Sequence, residues 1–248
     1  MTRKTKRKTV KRKVSKTASK KAPQEAAQPP SGGLFSGHRK RTIGTFSFFT
    51  GILSVAVQVP TMYKIWQKHE IEAGFREELM LAVSKLNDCK YCAWGHHEWA
   101  HAAGVPEEEL DHIEHGDLEG IERAKRVAIA YVVSLVLSDF KDVPDELEEE
   151  MQANYTENEI KEVELVAKIM DLANRGANTW DAMLSRVRGR PAHDSHVIDE
   201  FVMSGVFWIV MPISILIISQ QSHRSFGEML RNLLDYVEQA DEEEEAAG

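Results

Sequence analysis

The sequence predicts an all-α protein, and three observations support this fold class. Apolar residues recur at intervals of three and four, as on one face of a helix, without the period-two alternation of strands. Thr156-Glu157-Asn158-Glu159 forms a capping-box sequence before a long run with this spacing. Gly104-Val105-Pro106-Glu107 combines a glycine that ends one helix with a proline that suits the start of the next.

Residues 1–41 are predicted to form a disordered basic N-terminal arm. The first 22 of the 248 residues hold 11 Lys or Arg and no acid. Large apolar side chains are nearly absent before Leu34, so burial cannot offset the entropy cost of ordering. A solvated tail is the simplest interpretation, and the charge leaves nucleic acid and anionic lipid open as partners.

Residues 42–190 are predicted to form one all-α domain, whose elements follow in order. Thr42 to Tyr63 is uncharged but diluted by small and polar residues, which favours a buried or surface-lying first helix over a membrane span. Glu77 to Leu86 has apolar positions spaced for one helix face. Glu122 to Leu137 is apolar almost throughout, as in a helix buried on most sides.

Residues 191–248 are predicted to form an apolar helix followed by an acidic tail. Residues 201–222 carry no charge, and this length and apolarity are sufficient to cross a bilayer. A core helix or an oligomer contact would produce the same pattern, and Pro212 is compatible with each. We expect the acidic end, Asp241 to Glu245, to be mobile.

The charges that flank residues 201–222 do not decide their orientation in a membrane. Three arginines precede the segment closely and two follow it, so the positive-inside rule is nearly balanced. A single span here would leave both cysteines in the cytoplasm, whereas a second span at Thr42 to Tyr63 would place them outside. We prefer the first topology because it keeps the thiols reducible. We therefore expect a cytoplasmic protein, with membrane association through residues 201–222 left open.

Cys89 and Cys92 are the two cysteines of the chain, and they are spaced as Cys-x-x-Cys. A protein of this length can bury a core without a disulfide, so we interpret the pair as a redox dithiol. Asn87 or Asp88 is a natural N-cap, which would place both cysteines in the first turn of a helix. There the helix dipole favours the thiolate over the thiol.

His96 lies four residues after Cys92, on the same stripe of the predicted helix. Its imidazole can therefore accept the Cys92 proton, whereas the helix N-terminus alone would favour Cys89 as the nucleophile. A histidine in this role needs an orienting carboxylate, and Glu77 and Glu78 on the preceding segment are the nearest in sequence.

The spacing of Glu77, the cysteine pair and His96 is specific in combination. Glu77 stands twelve residues before Cys89, and His96 stands four after Cys92. With this pattern, residues 60–137 resemble the alkylhydroperoxidase D-like branch of the carboxymuconolactone decarboxylase family.

The resemblance implies an alkylhydroperoxidase D-like helical bundle, generally a homo-oligomer, that acts as a thiol peroxidase or disulfide reductase. By position, it implies that Cys92 attacks a hydroperoxide, Cys89 resolves the product, and Glu77 with His96 relays protons. It further implies a thiol or lipoyl-type reductant, and we predict no cofactor. The chain departs from alkylhydroperoxidase D at Tyr91, where that protein has histidine, which shortens the relay.

Three other interpretations compete with this one. His97-Glu98-Trp99-Ala100-His101 matches the H-E-x-x-H motif of zinc hydrolases, but such a short match arises by chance. Cys89, Cys92 and His96 could bind a structural zinc, but on one straight helix they span too much length to converge. We predict no metal. A non-catalytic protein tethered to a membrane or to nucleic acid is the remaining alternative.

Overall fold

The computed structural model describes residues 34–35, 40–58, 60–61, 63 and 70–247, and this part of the chain contains nine helices and no strand. The predicted all-α class is confirmed there. The helices are α1 (Thr45–Ala56), α2 (Ala73–Leu86), α3 (Lys90–Ala102), α4 (Glu107–His115), α5 (Arg123–Leu137), α6 (Asp145–Asn154), α7 (Glu157–Val187), α8 (Val197–Gln221) and α9 (Phe226–Ala247).

Helix α7 begins where the capping box predicts. The backbone N–H of Glu159 donates to Thr156 Oγ1 (3.3 Å), and the backbone N–H of Thr156 donates to Glu159 Oε2 (2.7 Å). These bonds satisfy polar groups that the start of a helix leaves unpaired. The helix then runs for 31 residues and packs against α1, α2, α3, α5, α6 and α8, so it forms the axis of the bundle.

The main hydrophobic core lies where α2, α5 and α7 meet. Leu79 and Leu81 of α2, Ile129 of α5, and Val163 and Val166 of α7 are all almost fully buried. Both predicted apolar segments lie within these helices, and α2 is buried on nearly every side. The last turn of α2 leads directly into the cysteine pair, so the buried packing of α2 positions that pair.

Helices α1 and α8 both pack on α7, and they also contact each other. Gly176 of α7 makes this approach close: a Cβ atom there would lie 2.7 Å from Phe48 Cε2 of α1 and 3.3 Å from Phe207 Cε2 of α8. The absence of a side chain at Gly176 therefore lets both aromatic rings reach the axis helix. α1 has 12 residues and half of its surface is exposed, as predicted for a surface-lying first helix.

Helix α9 folds back over α3 and α8, so the C-terminal segment packs on the domain that carries the cysteines. The prediction of a mobile acidic end is wrong for Asp241, which belongs to α9. Its carboxylate forms ion pairs with Lys90 and with Arg188, the latter at 3.2 Å. The sequence could not reveal this because both partners come from other helices.

The boundary predicted for the basic arm is also too late. Lys40 and Arg41 form ion pairs with Asp181 (2.7 Å) and Asp171 (2.9 Å) of α7, so they belong to the folded domain. Leu34 and Phe35 pack against the main core. The rest of the predicted disordered arm lies outside the described residues.

Among the helices described, α8 alone combines the length and the composition needed to cross a membrane. Its most apolar stretch has a mean hydropathy of 2.4, and 22% of that stretch is buried within the protein. These values describe composition and length and do not identify a membrane.

Candidate active site

The chain turns sharply at Asn87 and Asp88, between α2 and α3, directly before Cys89. We call this turn the corner. Asn87 caps the C-terminus of α2, and Asp88 adopts a left-handed conformation with φ of 51°. Cys89 is the N-cap of α3, and its backbone N–H donates to Ser84 O at 2.9 Å. The prediction that Asn87 or Asp88 caps α3 is therefore wrong, since Asn87 ends the preceding helix and only Cys92 lies in the first turn.

Both cysteines are free thiols, and they lie near each other. Cys89 is buried and Cys92 is partly exposed. Burial raises the pKa of the Cys92 thiol well above its ordinary value of 9.0, and the neighbouring Cys89 raises it further. This raised pKa favours the Cys92 thiol over the thiolate that the helix N-terminus predicts.

Glu77 of α2 contacts His96 of α3. His96 Nδ1 lies 2.8 Å from Glu77 Oε2, while Arg76 Nη2 donates to Glu77 Oε1 at 3.0 Å. Burial alone would raise the pKa of Glu77, but the hydrogen bond with His96 and the neighbouring guanidinium of Arg76 outweigh it and lower that pKa. Glu77 is therefore a carboxylate at neutral pH, suited to orient the imidazole.

The second carboxylate considered from the sequence, Glu78, faces elsewhere. It is fully buried and pairs with Lys125 Nζ at 2.8 Å, and the same ammonium group also binds Glu109 at 2.9 Å. Adjacent helical residues point about 100° apart, so Glu77 and Glu78 cannot both face His96.

The structure places the residues predicted for the site in two pairs. Cys89 and Cys92 lie near each other at the start of α3, and His96 of the same helix contacts Glu77 of α2. Because His96 follows Cys92 by four residues, the two are neighbours on the helix surface. We call these four residues the dithiol site.

A set of polar residues on α7 fixes the corner, and sequence reasoning missed it. This set, the α7 polar stripe, recurs at intervals of three and four and is buried: Asp171, Asn174, Asn178 and Asp181. The signal was available, because short polar side chains interrupt an apolar face in a helix that the capping box predicts. Its partners could not be read from the sequence.

Two members of the α7 polar stripe bind the end of α2. Asn174 Nδ2 donates to Val83 O (3.1 Å), and Asn178 Nδ2 donates to Asn87 O (2.8 Å). Ser84 completes this contact by donating to Asn174 Oδ1 at 3.3 Å. These bonds satisfy buried backbone carbonyl groups at the point where the chain turns toward the cysteines.

Asp171 and Arg41 anchor the same corner from the other side. Asp171 Oδ1 accepts from Asn87 Nδ2 (3.1 Å) and from Arg41 Nη2 (2.9 Å). Arg41 also donates to Asp139 Oδ1 at 2.8 Å, which links the corner to the end of α5. Two chain segments, the one that precedes α1 and helix α7, therefore hold Asn87, two residues before Cys89.

Asp181 binds the residues that surround Cys89 in the sequence. It accepts from Tyr91 Oη at 2.9 Å, and it pairs with Lys40 (2.7 Å) and Lys90 (3.2 Å). Burial alone would raise the pKa of Asp181, but the two lysines outweigh it and lower that pKa. Burial and Asp181 raise the pKa of Tyr91, so this phenol stays protonated and cannot replace the histidine of alkylhydroperoxidase D as a base.

The C-terminal helices form one wall of the dithiol site. Cys89, Tyr91 and Trp94 share an apolar cluster with residues of α8 and α9, including Met229 and Leu233. Trp94 Nε1 donates to Asn232 Oδ1 at 2.5 Å, which fastens α9 to α3. Cys89 is almost fully buried in this cluster.

The H-E-x-x-H residues are engaged in other contacts. His97 Nδ1 lies 2.9 Å from Glu114 Oε1, and Glu98 is buried in an ion pair with Arg224 at 3.1 Å. His101 is exposed. Within the described part of the chain, no three His, Cys, Asp or Glu residues are grouped so that they could hold a metal ion.

Comparison with known proteins identifies no relative. No family model, curated protein or solved structure matches the chain. Any function must therefore be argued from the residues and geometry of the dithiol site.

Proposed function

We propose that this protein is a thiol-dependent peroxidase that reduces hydroperoxides, with disulfide reduction as the related activity of the same dithiol. One observation carries the proposal: a pair of free thiols begins α3, and a histidine bound to a carboxylate follows one turn later. The resemblance to alkylhydroperoxidase D-like proteins points to the same residues.

The first step uses Cys92 as the nucleophile. His96 accepts the Cys92 proton, and Glu77 stabilises the imidazolium that forms. The thiolate attacks one peroxide oxygen, the O–O bond breaks, and Cys92 becomes a sulfenic acid. The departing alkoxide takes the proton from His96 and leaves as an alcohol, so two electrons pass from sulfur to the peroxide.

The second step uses Cys89. Its thiol attacks the sulfenic sulfur of Cys92, a disulfide forms, and water leaves. A reductant with two thiols, of lipoyl type or similar, then restores both cysteines by exchange and is itself oxidised to a disulfide. This cycle needs a reducing compartment, so we propose a cytoplasmic location for the dithiol site.

The raised pKa of Cys92 makes the proton relay necessary. At neutral pH the thiol dominates, so deprotonation must accompany the encounter with peroxide. His96, one helical turn away, can accept the proton at that moment. The Cys92 sulfur therefore does not have to carry a permanent charge in a desolvated site. The resting thiols are thereby protected from unselective oxidants.

Thiol titration before and after one equivalent of hydroperoxide tests the proposal. Wild-type protein should lose both thiols and form one intramolecular disulfide, detectable as a loss of two hydrogen masses. Thiols that remain unchanged with hydroperoxide and with a disulfide substrate would contradict it and favour the non-catalytic tethering alternative.

The two single-cysteine variants separate the roles and serve as matched controls for each other. Cys89→Ser should accumulate a sulfenic acid on Cys92 that dimedone traps, because no resolving thiol is present. Cys92→Ser should give no adduct under the same conditions. The opposite pattern would assign the attack to Cys89, as the helix N-terminus alone would favour.

A further inference from the structure

The outer surfaces of α1 and α8 carry large apolar side chains that no described part of the chain covers. The most exposed include Phe46 (83%), Trp208 (71%) and Phe201 (70%). Leu53 of α1 and Ile209 of α8 are also mostly exposed. We call these residues the α1/α8 apolar face.

The two helices form one layer, so their exposed sides belong to a common surface. Both rest on α7, where Phe48 and Phe207 converge on Gly176, and the helices contact each other. Side chains directed away from α7 therefore lie on the outer side of the same layer. Monomeric soluble proteins rarely expose apolar patches larger than a few hundred Å² without a partner.

We propose that the α1/α8 apolar face lies on the surface of an anionic lipid bilayer. The basic arm supplies the second attraction, because its first 22 residues hold 11 Lys or Arg and no acid, and the arm leads into α1. An apolar helix face combined with a polybasic segment is the pairing that gives stable peripheral binding. Trp208 on this face suits the boundary between headgroups and acyl chains.

The packing of α8 favours an orientation along the membrane and not across it. α8 contacts α3, α7 and α9, and Glu200 near its start is fully buried in an ion pair with Arg186 at 2.6 Å. If α8 crossed the bilayer, the helices packed against it would enter the hydrocarbon layer together with charged groups such as Lys90 and Glu98. That transfer is far costlier than burial of one apolar face.

Vesicle flotation with the full chain tests the proposal. The protein should float with vesicles of phosphatidylcholine mixed with phosphatidylglycerol, and binding should fall by about tenfold or more with phosphatidylcholine alone or at high salt. Phe201→Glu and Ile209→Glu should each weaken binding by about tenfold or more. Leu137→Glu is the matched control, since Leu137 is an exposed leucine on α5, away from the face, and its binding should be unchanged.

Each alternative gives a distinct result. Protein that resists extraction from cell membranes by alkaline carbonate would indicate that α8 spans, and would overturn the in-plane orientation. A dimer in sedimentation equilibrium that Ile209→Glu dissociates, without vesicle binding, would assign the face to a second copy. Circular dichroism of the variants should match wild type because the replaced side chains are exposed. The proposal is independent of peroxidase activity.

Discussion

At the scale of residues, neighbouring positions in the sequence have different roles because a helix separates them by angle. Glu77 orients His96, whereas Glu78 is buried against Lys125. His96 faces Glu77, whereas His97 faces Glu114 on the next helix. The chemistry proposed for the dithiol site therefore depends on how α2 and α3 are rotated about their axes, because the rotation decides which side chains face each other.

The pair His96 and His97 allows a controlled test of the proton relay. His96→Asn should slow peroxide oxidation of Cys92 by about a hundredfold, since general-base assistance contributes two to four orders of magnitude. His97→Asn removes a histidine that also binds a carboxylate, so it should leave the rate within about twofold. Stopped-flow measurement of thiol loss compares them, and equal effects would argue against a specific relay.

At the scale of elements, α9 packs beside the dithiol site, and the amino-acid composition of this C-terminal segment did not indicate that position. Its residues Met229 and Leu233 pack beside Cys89 and Trp94, while the following residue, Leu234, is 57% exposed. The helix therefore contributes to the apolar cluster that contains Cys89. α7 acts from the opposite side, where its polar stripe fixes the corner before Cys89.

Adjacent leucines on α9 provide a matched test of whether this helix shields Cys89. Leu233→Ala should reduce the free energy of unfolding by about 2–3 kcal/mol, because a buried leucine leaves a cavity, and should speed the reaction of Cys89 with an aromatic disulfide reagent. Leu234→Ala should change stability by less than about 0.5 kcal/mol. Urea unfolding and thiol kinetics measure both effects; identical kinetics in the two variants would mean that α9 does not limit access to Cys89.

At the scale of the whole molecule, charge is distributed unevenly around a helical bundle. The basic arm leads to the α1/α8 apolar face, while residues 23–248 carry 20 basic and 39 acidic side chains. A molecule of this kind can bind an anionic surface at one side and repel it elsewhere. Buried carboxylates inside the bundle make its stability depend on pH.

Glu78 should dominate that dependence near neutrality. Burial raises its pKa from 4.5 to about 7, although Lys125 opposes the shift. Between these values the folded protein keeps a proton that the unfolded chain releases, so stability should fall as pH rises from 4.5 to 7. Glu78→Gln removes this titration. The free energy of unfolding of the variant minus that of wild type should therefore increase between pH 5 and pH 8, by at most about 3 kcal/mol.

Urea unfolding across this pH range measures the effect. Glu157→Gln is the control between pH 6 and pH 8, because Lys161 lowers the pKa of this exposed carboxylate and it is ionised in the folded and the unfolded chain there, so its replacement should leave the slope of stability against pH unchanged in that range. Parallel profiles for Glu78→Gln and wild type would show that Lys125 keeps Glu78 ionised throughout.

The sequence by itself determined the helical class, the end of α2, the extent of α5 to within one residue, the start of α7, and the redox spacing of Cys89 and Cys92. These features are local, because helix periodicity, capping and spacing depend on residues within a few turns of each other. The four residues predicted for the dithiol site all lie on two consecutive helices, which is why they could be identified together.

Only the tertiary structure decided which carboxylate orients His96, how burial acts on Cys92, and what surrounds the corner between α2 and α3. Arg41, Asp171 and Asp181 join that corner across 80 or more residues of sequence in most of their contacts, and no local pattern specifies such pairs. The same holds for α8: its composition permits a membrane span, but its packing on α3, α7 and α9 favours a helix with one buried side and one apolar outer face. Burial is a property of the whole fold, so the sequence could predict the thiols of the dithiol site but not their protonation.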